Sequence, residues 1–253
     1  MRKPSGKFSA SGVLVADDFR DNLIIDRYDP VFSRMRASKI THLRSENSED
    51  AISWNVFRSL RQISPELWLP HIAEVAFGGE VFDQIDGATV ELWKDVFPPL
   101  SLLREGDEGI SEIDICIESA DWVWFIEAKY TSDISVGTTT RSDRDQVLRN
   151  IDVGSFYAGR RDFYFALLCL DDGRSPKGVA AVEEYKDMDY LRARLPHRRD
   201  PLDNVRQLGV IYWSDLAELF FRCRSAQCNE YEAMIVDRAV TWLEGRGIRP
   251  NNA

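Results

Sequence analysis

The residues of this chain best placed to do chemistry are Asp114, Glu127 and Lys129. All three fall within residues 111–130, SEIDICIESADWVWFIEAKY, a stretch otherwise dominated by Ile, Val, Trp and Phe. A charge inside a segment this apolar costs several kcal/mol unless it is paired or holds a metal. Two carboxylates and an ammonium suit one arrangement in particular, in which the acids share a divalent cation and the lysine holds or polarises a water beside it.

Spacing predicts how they meet. With Ala120 and Asp121 as a two-residue hairpin turn, Ser119 faces Trp122, Glu118 faces Val123, and Asp114 stands across from Glu127. Directly opposed residues on an antiparallel pair share a face, with Cβ atoms roughly 4.5–5.5 Å apart. Alternation places Lys129 on that face too, and sends Ile113, Ile115 and Ile117 to the other face against Trp124, Ile126 and Ala128. A turn one residue longer or shorter would separate the acids. Two carboxylates this close repel unless a cation lies between them or one is protonated. Magnesium takes oxygen ligands and keeps several waters, and manganese accepts the same donors. The plainer alternative is a surface hairpin in which Glu127 and Lys129 form an ordinary ion pair.

Asp114, followed by Glu127-Ala128-Lys129 at the end of an apolar strand, resembles the PD-(D/E)xK nuclease superfamily, the restriction-endonuclease-like fold. The resemblance covers residues 45–170 best, and Ile113 stands where the family motif often has proline. It implies an α/β (α+β) domain with a central mixed β-sheet flanked by helices. It also implies Mg²⁺-dependent cleavage of nucleic acid, with DNA favoured over RNA, in a prokaryotic restriction, defence or repair setting. The Ala128 carbonyl joins Asp114 and Glu127 as a metal ligand in similar sites, and a further acid comes from an upstream helix. An alternative is a nuclease-fold module that binds nucleic acid or assembles with partners without cutting.

Candidate helices flank the motif. Residues 47–63 read as an amphipathic helix capped by Ser48, with Glu49 and Asp50 in its first turn. Glu49 is the candidate upstream ligand, with Asp50, Glu74 and Glu91 as substitutes; acids in a first turn also stabilise the helix dipole with no chemistry. Residues 142–158 read as a second helix, capped by Ser142, on which Gln146, Arg149 and Asn150 share a face. There Gln146 would orient the water or lysine and Arg149 would touch phosphate; the same face also reads as merely solvated. Arg141 and Arg144 lie at that end and could help hold a nucleic-acid backbone. Residues 131–141 read as a polar loop at the mouth of the site.

The remainder supplies a scaffold. Residues 88–97, 162–172 and 208–213 read as strands, the second buried on both faces. Residues 214–224 and 229–245 read as helices, the last stopped by Gly245 and Gly247. Residues 1–45 read as an N-terminal extension or arm whose first twelve residues are loosely attached, and 46–253 as one nuclease-like domain with a C-terminal helical elaboration. With no run of eighteen apolar residues and no signal peptide, a soluble, cytoplasmic protein without a membrane is expected. Cys116, Cys169, Cys223 and Cys228 show no CxxC pair, and His42, His71 and His197 no metal-ligand spacing. A formal net charge of −10 opposes a polyanion at long range. Distribution counts for more than the sum: residues 192–206 read as a basic loop that could grip a backbone or simply be solvated, and Arg34, Arg36, Lys39 and Arg44 form another basic group. A homodimer or protein partner would help such an acidic chain engage DNA.

Overall fold

The computed structural model describes residues 5–79, 82, 84–105, 109–137, 143–200, 202–226 and 228–250, with the backbone alone at 104 and 105. Ser142, Arg141 and residues 138–140 of the expected mouth loop lie outside these. In chain order the elements are β1 (Gly6–Phe8), β2 (Leu14–Ala16), α1 (Ala37–Leu43), α2 (Glu49–Leu60), α3 (Leu69–Phe77), β3 (Thr89–Val96), α4 (Leu100–Glu105), β4 (Ser111–Glu118), β5 (Trp122–Ala128), α5 (Gln146–Ala158), β6 (Asp162–Cys169), α6 (Pro176–Tyr185), α7 (Met188–Arg194), β7 (Val205–Tyr212), α8 (Trp213–Ser225) and α9 (Glu230–Gly245). Among the described residues no helix is long and apolar enough to cross a membrane. The chain divides into two compact units, residues 69–213 and residues 1–68 with 214–253.

The unit spanning 69–213 is an α/β structure around a five-stranded mixed sheet ordered β3-β4-β5-β6-β7. The β3–β4 and β4–β5 pairs are antiparallel, whereas β5–β6 and β6–β7 are parallel. Parallel neighbours need a crossover connection, supplied by α5 between β5 and β6 and by α6 and α7 between β6 and β7. Every residue of β5 is buried, as expected of a strand covered on both faces. On one face Val123, Phe125, Phe163 and Phe165 pack with Val147, Leu148 and Ile151 of α5 and Val182 of α6. On the other, Phe77 of α3 lies against Trp124 and Tyr164, with ring centroids 5.1 and 5.4 Å away.

The hairpin register is the one its spacing implies. Ser119 N–H donates to the Trp122 carbonyl at 2.9 Å, and the ladder runs from Glu118↔Val123 to Ile115↔Ile126. One further pair in that register is Asp114 with Glu127.

Some helices were not legible in the pattern. Within α6, Pro176 and Gly178 look like breakers, but proline suits the first helical turn. A Cβ on Gly178 would come within 2.7 Å of Leu167 Cδ2, so the glycine lets α6 lie close on β6. The helix read over 142–158 begins at Gln146 instead. Its cap is Asp145, whose Oδ1 accepts the Leu148 N–H at 2.8 Å.

In the other unit, Ser48 caps α2 as expected, its Oγ accepting the Ala51 N–H at 3.1 Å. The segment before α1 is strapped to α2: Asn55 accepts the Ile24 N–H and donates to the Asn22 carbonyl, both at 2.9 Å, and Trp54 Nε1 donates to Ile25. Residues 6–8, expected to be loosely attached, pair with β2. Asn229 and Glu232 close a capping box on α9.

Close packing makes one position intolerant. A Cβ on Gly209 in β7 would stand 2.1 Å from the Ala76 backbone oxygen of α3, and backbone has little freedom to retreat. Gly209→Ala is expected to lower the stability of this unit by about 1–3 kcal/mol, read as a lower urea midpoint; an unchanged midpoint would mean that α3 shifts freely on the sheet.

Candidate functional site

Four of the residues singled out by sequence converge at the carboxyl end of β5. Glu127 is 2% exposed and Lys129 7%, so both charges are held out of water. Lys129 Nζ donates to Glu127 Oε1 at 2.6 Å, Gln146 Nε2 donates to the same oxygen at 2.6 Å, and Asn150 Nδ2 donates to Oε2 at 2.5 Å. Gln146 and Asn150 sit one turn apart at the start of α5, which explains their common target. Asn150 is the member that sequence reasoning named on the shared face without assigning it a role; its i+4 spacing from Gln146 was the available signal.

The frame around these side chains is rigid. Lys129 N–H donates to the Leu168 carbonyl of β6 at 2.7 Å, and its own carbonyl accepts Trp213 Nε1 at 2.9 Å. Gln146 N–H donates to the Ser135 carbonyl at 3.0 Å, tying α5 to the loop after β5. That loop is anchored at a second point, because the two Asp133 oxygens accept the Lys177 and Gly178 N–H groups at 3.0 Å and so cap α6. Tyr185 donates to the cap residue Asp145.

Asp114 enters from β4. Its Oδ2 accepts the Ala128 N–H at 3.0 Å, which brings its carboxyl beside that of Glu127. Burial, then the Glu127 charge, push Asp114 well above the usual carboxylate range; Lys129 and the Ala128 N–H only partly offset them. Asp114 and Glu127 offer oxygen donors only, the kind that hard divalent cations such as Mg²⁺ or Mn²⁺ accept. A cation between the two acids would relieve the repulsion that raises Asp114. Among the described residues no group of three or more His, Cys, Asp or Glu side chains is arranged to hold a metal ion. Glu49, half-buried in the first turn of α2, belongs to the other unit, as does Asp50, which pairs with Lys39 at 3.4 Å. Glu74 is exposed on α3, and Glu91 pairs with Lys94 at 2.5 Å.

Across β4 from the site, β3 carries a strained residue. Trp93 is buried and has φ +57°, a left-handed conformation that costs an L-residue about 1–2 kcal/mol and is rare for a bulky side chain. No feature of the sequence marks it, since an aromatic in this run reads as an ordinary strand residue.

Three expectations about cations need correction. Arg149 does not face the carboxylates: its guanidinium donates to Ser111 Oγ at 3.0 Å and to the Ile110 carbonyl at 3.3 Å, fixing the start of β4 to α5. Arg144 is buried and donates to Asp152 at 2.8 Å. Residues 192–206 are not a free basic loop. They begin inside α7, and their charges are largely paired: Arg192 with Asp189 and Asp203, Arg198 with Asp152 and Asp200, Arg206 with Asp162. Buried Asp152 also meets His197 Nε2 at 2.7 Å, and hydrogen bonds and charge from His197, Arg144 and Arg198 hold its carboxyl below the usual range despite burial. Arg144 and Arg198 meet an internal demand for charge compensation at Asp152, which linear sequence does not reveal.

No family model matches the chain, and no curated protein or solved structure matches it.

The raised Asp114 carboxyl sets a pH dependence. Between the usual carboxylate range and Asp114's own value, the folded chain holds a proton that the unfolded chain has released. Stability therefore falls as pH rises through that window, and the penalty is absent below it. Asp114→Asn should raise stability near pH 7, with a smaller gain near pH 4, in urea unfolding at the two values. A variant less stable than the parent at neutral pH would contradict this balance.

Proposed function

We propose that this protein is a divalent-metal-dependent nuclease, with the carboxyl end of β5 as its active site and a restriction-endonuclease-like fold. The observation that carries the reading is the meeting of half-buried Asp114 with buried Glu127 and Lys129 at one point, two oxygen-donor acids beside a fixed ammonium. Mg²⁺, or Mn²⁺ in its place, would be held by Asp114, Glu127 and the Ala128 carbonyl, supplying Lewis acidity and a more acidic water.

The protein groups would divide the remaining work. Gln146 and Asn150 fix both Glu127 oxygens, so this carboxylate meets substrate without reorganising. Lys129 has its carbonyl and amide tied to neighbouring elements, leaving the ammonium aimed along the Glu127 edge. There it can hold a water or balance charge developing on a phosphoryl oxygen. DNA is favoured over RNA as substrate. With a net charge of −10, long-range attraction to phosphates is weak, so binding should rely on local contacts or on a partner, a second copy included.

One observation favours a second reading, a nuclease-fold module that binds nucleic acid without cutting. Glu127 already receives three donors, a closed set that satisfies it without a cation.

Incubation with mixed DNA and RNA in Mg²⁺ or Mn²⁺ separates these readings. The proposal expects cleavage by the parent chain and losses of about a hundredfold or more in Asp114→Asn and Lys129→Ala, each checked for folding by circular dichroism. Equal cleavage by all three chains would remove the assignment. Nucleic-acid binding with no cleavage in either metal would select the non-cutting module.

A further inference from the structure

The side chains of β3 and β4 break the alternation that a strand imposes. Lys94 donates to Glu91 at 2.5 Å and to Glu118 at 2.9 Å, and its Nζ stands 5.2 Å from the Tyr157 ring of α5. Residues 91 and 94 thus reach one face, although an unbroken strand sends positions three apart to opposite faces. The partner strand behaves alike. Ile113 and Cys116 both belong to the apolar cluster beneath α5, and Ser111 reaches Arg149 of α5. Ile113 therefore lies on the α5 side, not with Ile115 and Ile117 as alternation predicts.

Both changes of face occur at a single crossing. The β3–β4 ladder pairs Leu92 with Ile115 and Lys94 with Ile113 but omits Trp93 with Asp114. The register is the same on either side, so no residue has been inserted. At this gap Trp93 is left-handed, and Asp114 turns its carboxylate to the Ala128 N–H of β5. The β4–β5 ladder ends one pair earlier, at Ile115↔Ile126, so a side-chain oxygen serves this N–H in place of a ladder carbonyl.

We infer that Trp93 is the positioning residue for Asp114: its left-handed backbone turns both strands at one crossing and so delivers the Asp114 carboxylate to the Ala128 N–H and to Glu127. The inference deepens the proposed active site and rests on Asp114 being one of its acids. Trp93 acts through Asp114.

The test compares Trp93→Gly with Trp93→Val. Both delete the indole and share whatever stability that removes, but glycine accepts φ +57° freely and a β-branched residue resists it. One readout does not depend on cleavage, the hydrogen exchange of the Ala128 amide. In the glycine chain Ala128 should stay protected. In the valine chain Ala128 should exchange at least about tenfold faster, and cleavage should be at least about tenfold slower than in the glycine chain. Trp93→Ala, one methyl from the glycine variant, provides the same contrast if the valine chain does not fold. Identical behaviour of the paired variants, or equal loss of Ala128 protection in each, overturns the inference. A clear contrast in exchange, in a parent chain that cuts nothing, would uphold Trp93's role and reject the nuclease reading instead.

Discussion

Two carboxylates meet at one corner of a sheet, Glu127 buried and Asp114 half-buried, and the groups around that corner answer to their loss of water and to their repulsion. In a low-dielectric surrounding neither desolvation nor like-charge contact is weakened by water. Glu127 is compensated by three nitrogen donors, and the burden falls on Asp114, whose proton is held far more tightly than in water. The position of α5, the anchored loop after β5 and the Trp213 contact to Lys129 all serve to keep those donors where Glu127 needs them.

Such an arrangement is costly to build unless it does something. An apolar pair at the same positions would satisfy the sheet with neither desolvation nor strain. Instead, β3 carries a left-handed tryptophan opposite Asp114, and β5 gives up a ladder bond to a side chain. Strain and like charges gathered at one crossing are what the proposed active site requires the fold to hold.

Charge elsewhere in this unit follows a different logic. The cations that looked available for a phosphate backbone are mostly occupied by neighbouring aspartates, with Asp152 at the centre of one buried network. Neutralisation of this kind stabilises the unit without creating an attractive field for a polyanion, in keeping with the chain's acidic balance.

Much of this was determined by the sequence alone. A two-residue turn between apolar runs has one register that pairs Asp114 with Glu127, and period-two alternation carries Lys129 to their side; local chain geometry is enough for both. Ser48 and Asn229 likewise announce their helices, because capping is a contact between near neighbours. What only the tertiary structure decided involves partners distant in the chain. The role of Asn150 became visible once α5 was laid against β5, and Arg144 and Arg198 were assigned when Asp152 was found buried between them. The helix α6 depends on a close approach to β6 that Gly178 permits but does not signal. Trp93 adopts a backbone that its residue type disfavours, and propensity, which records what a residue prefers by itself, carries no trace of a conformation imposed by the packed sheet around it.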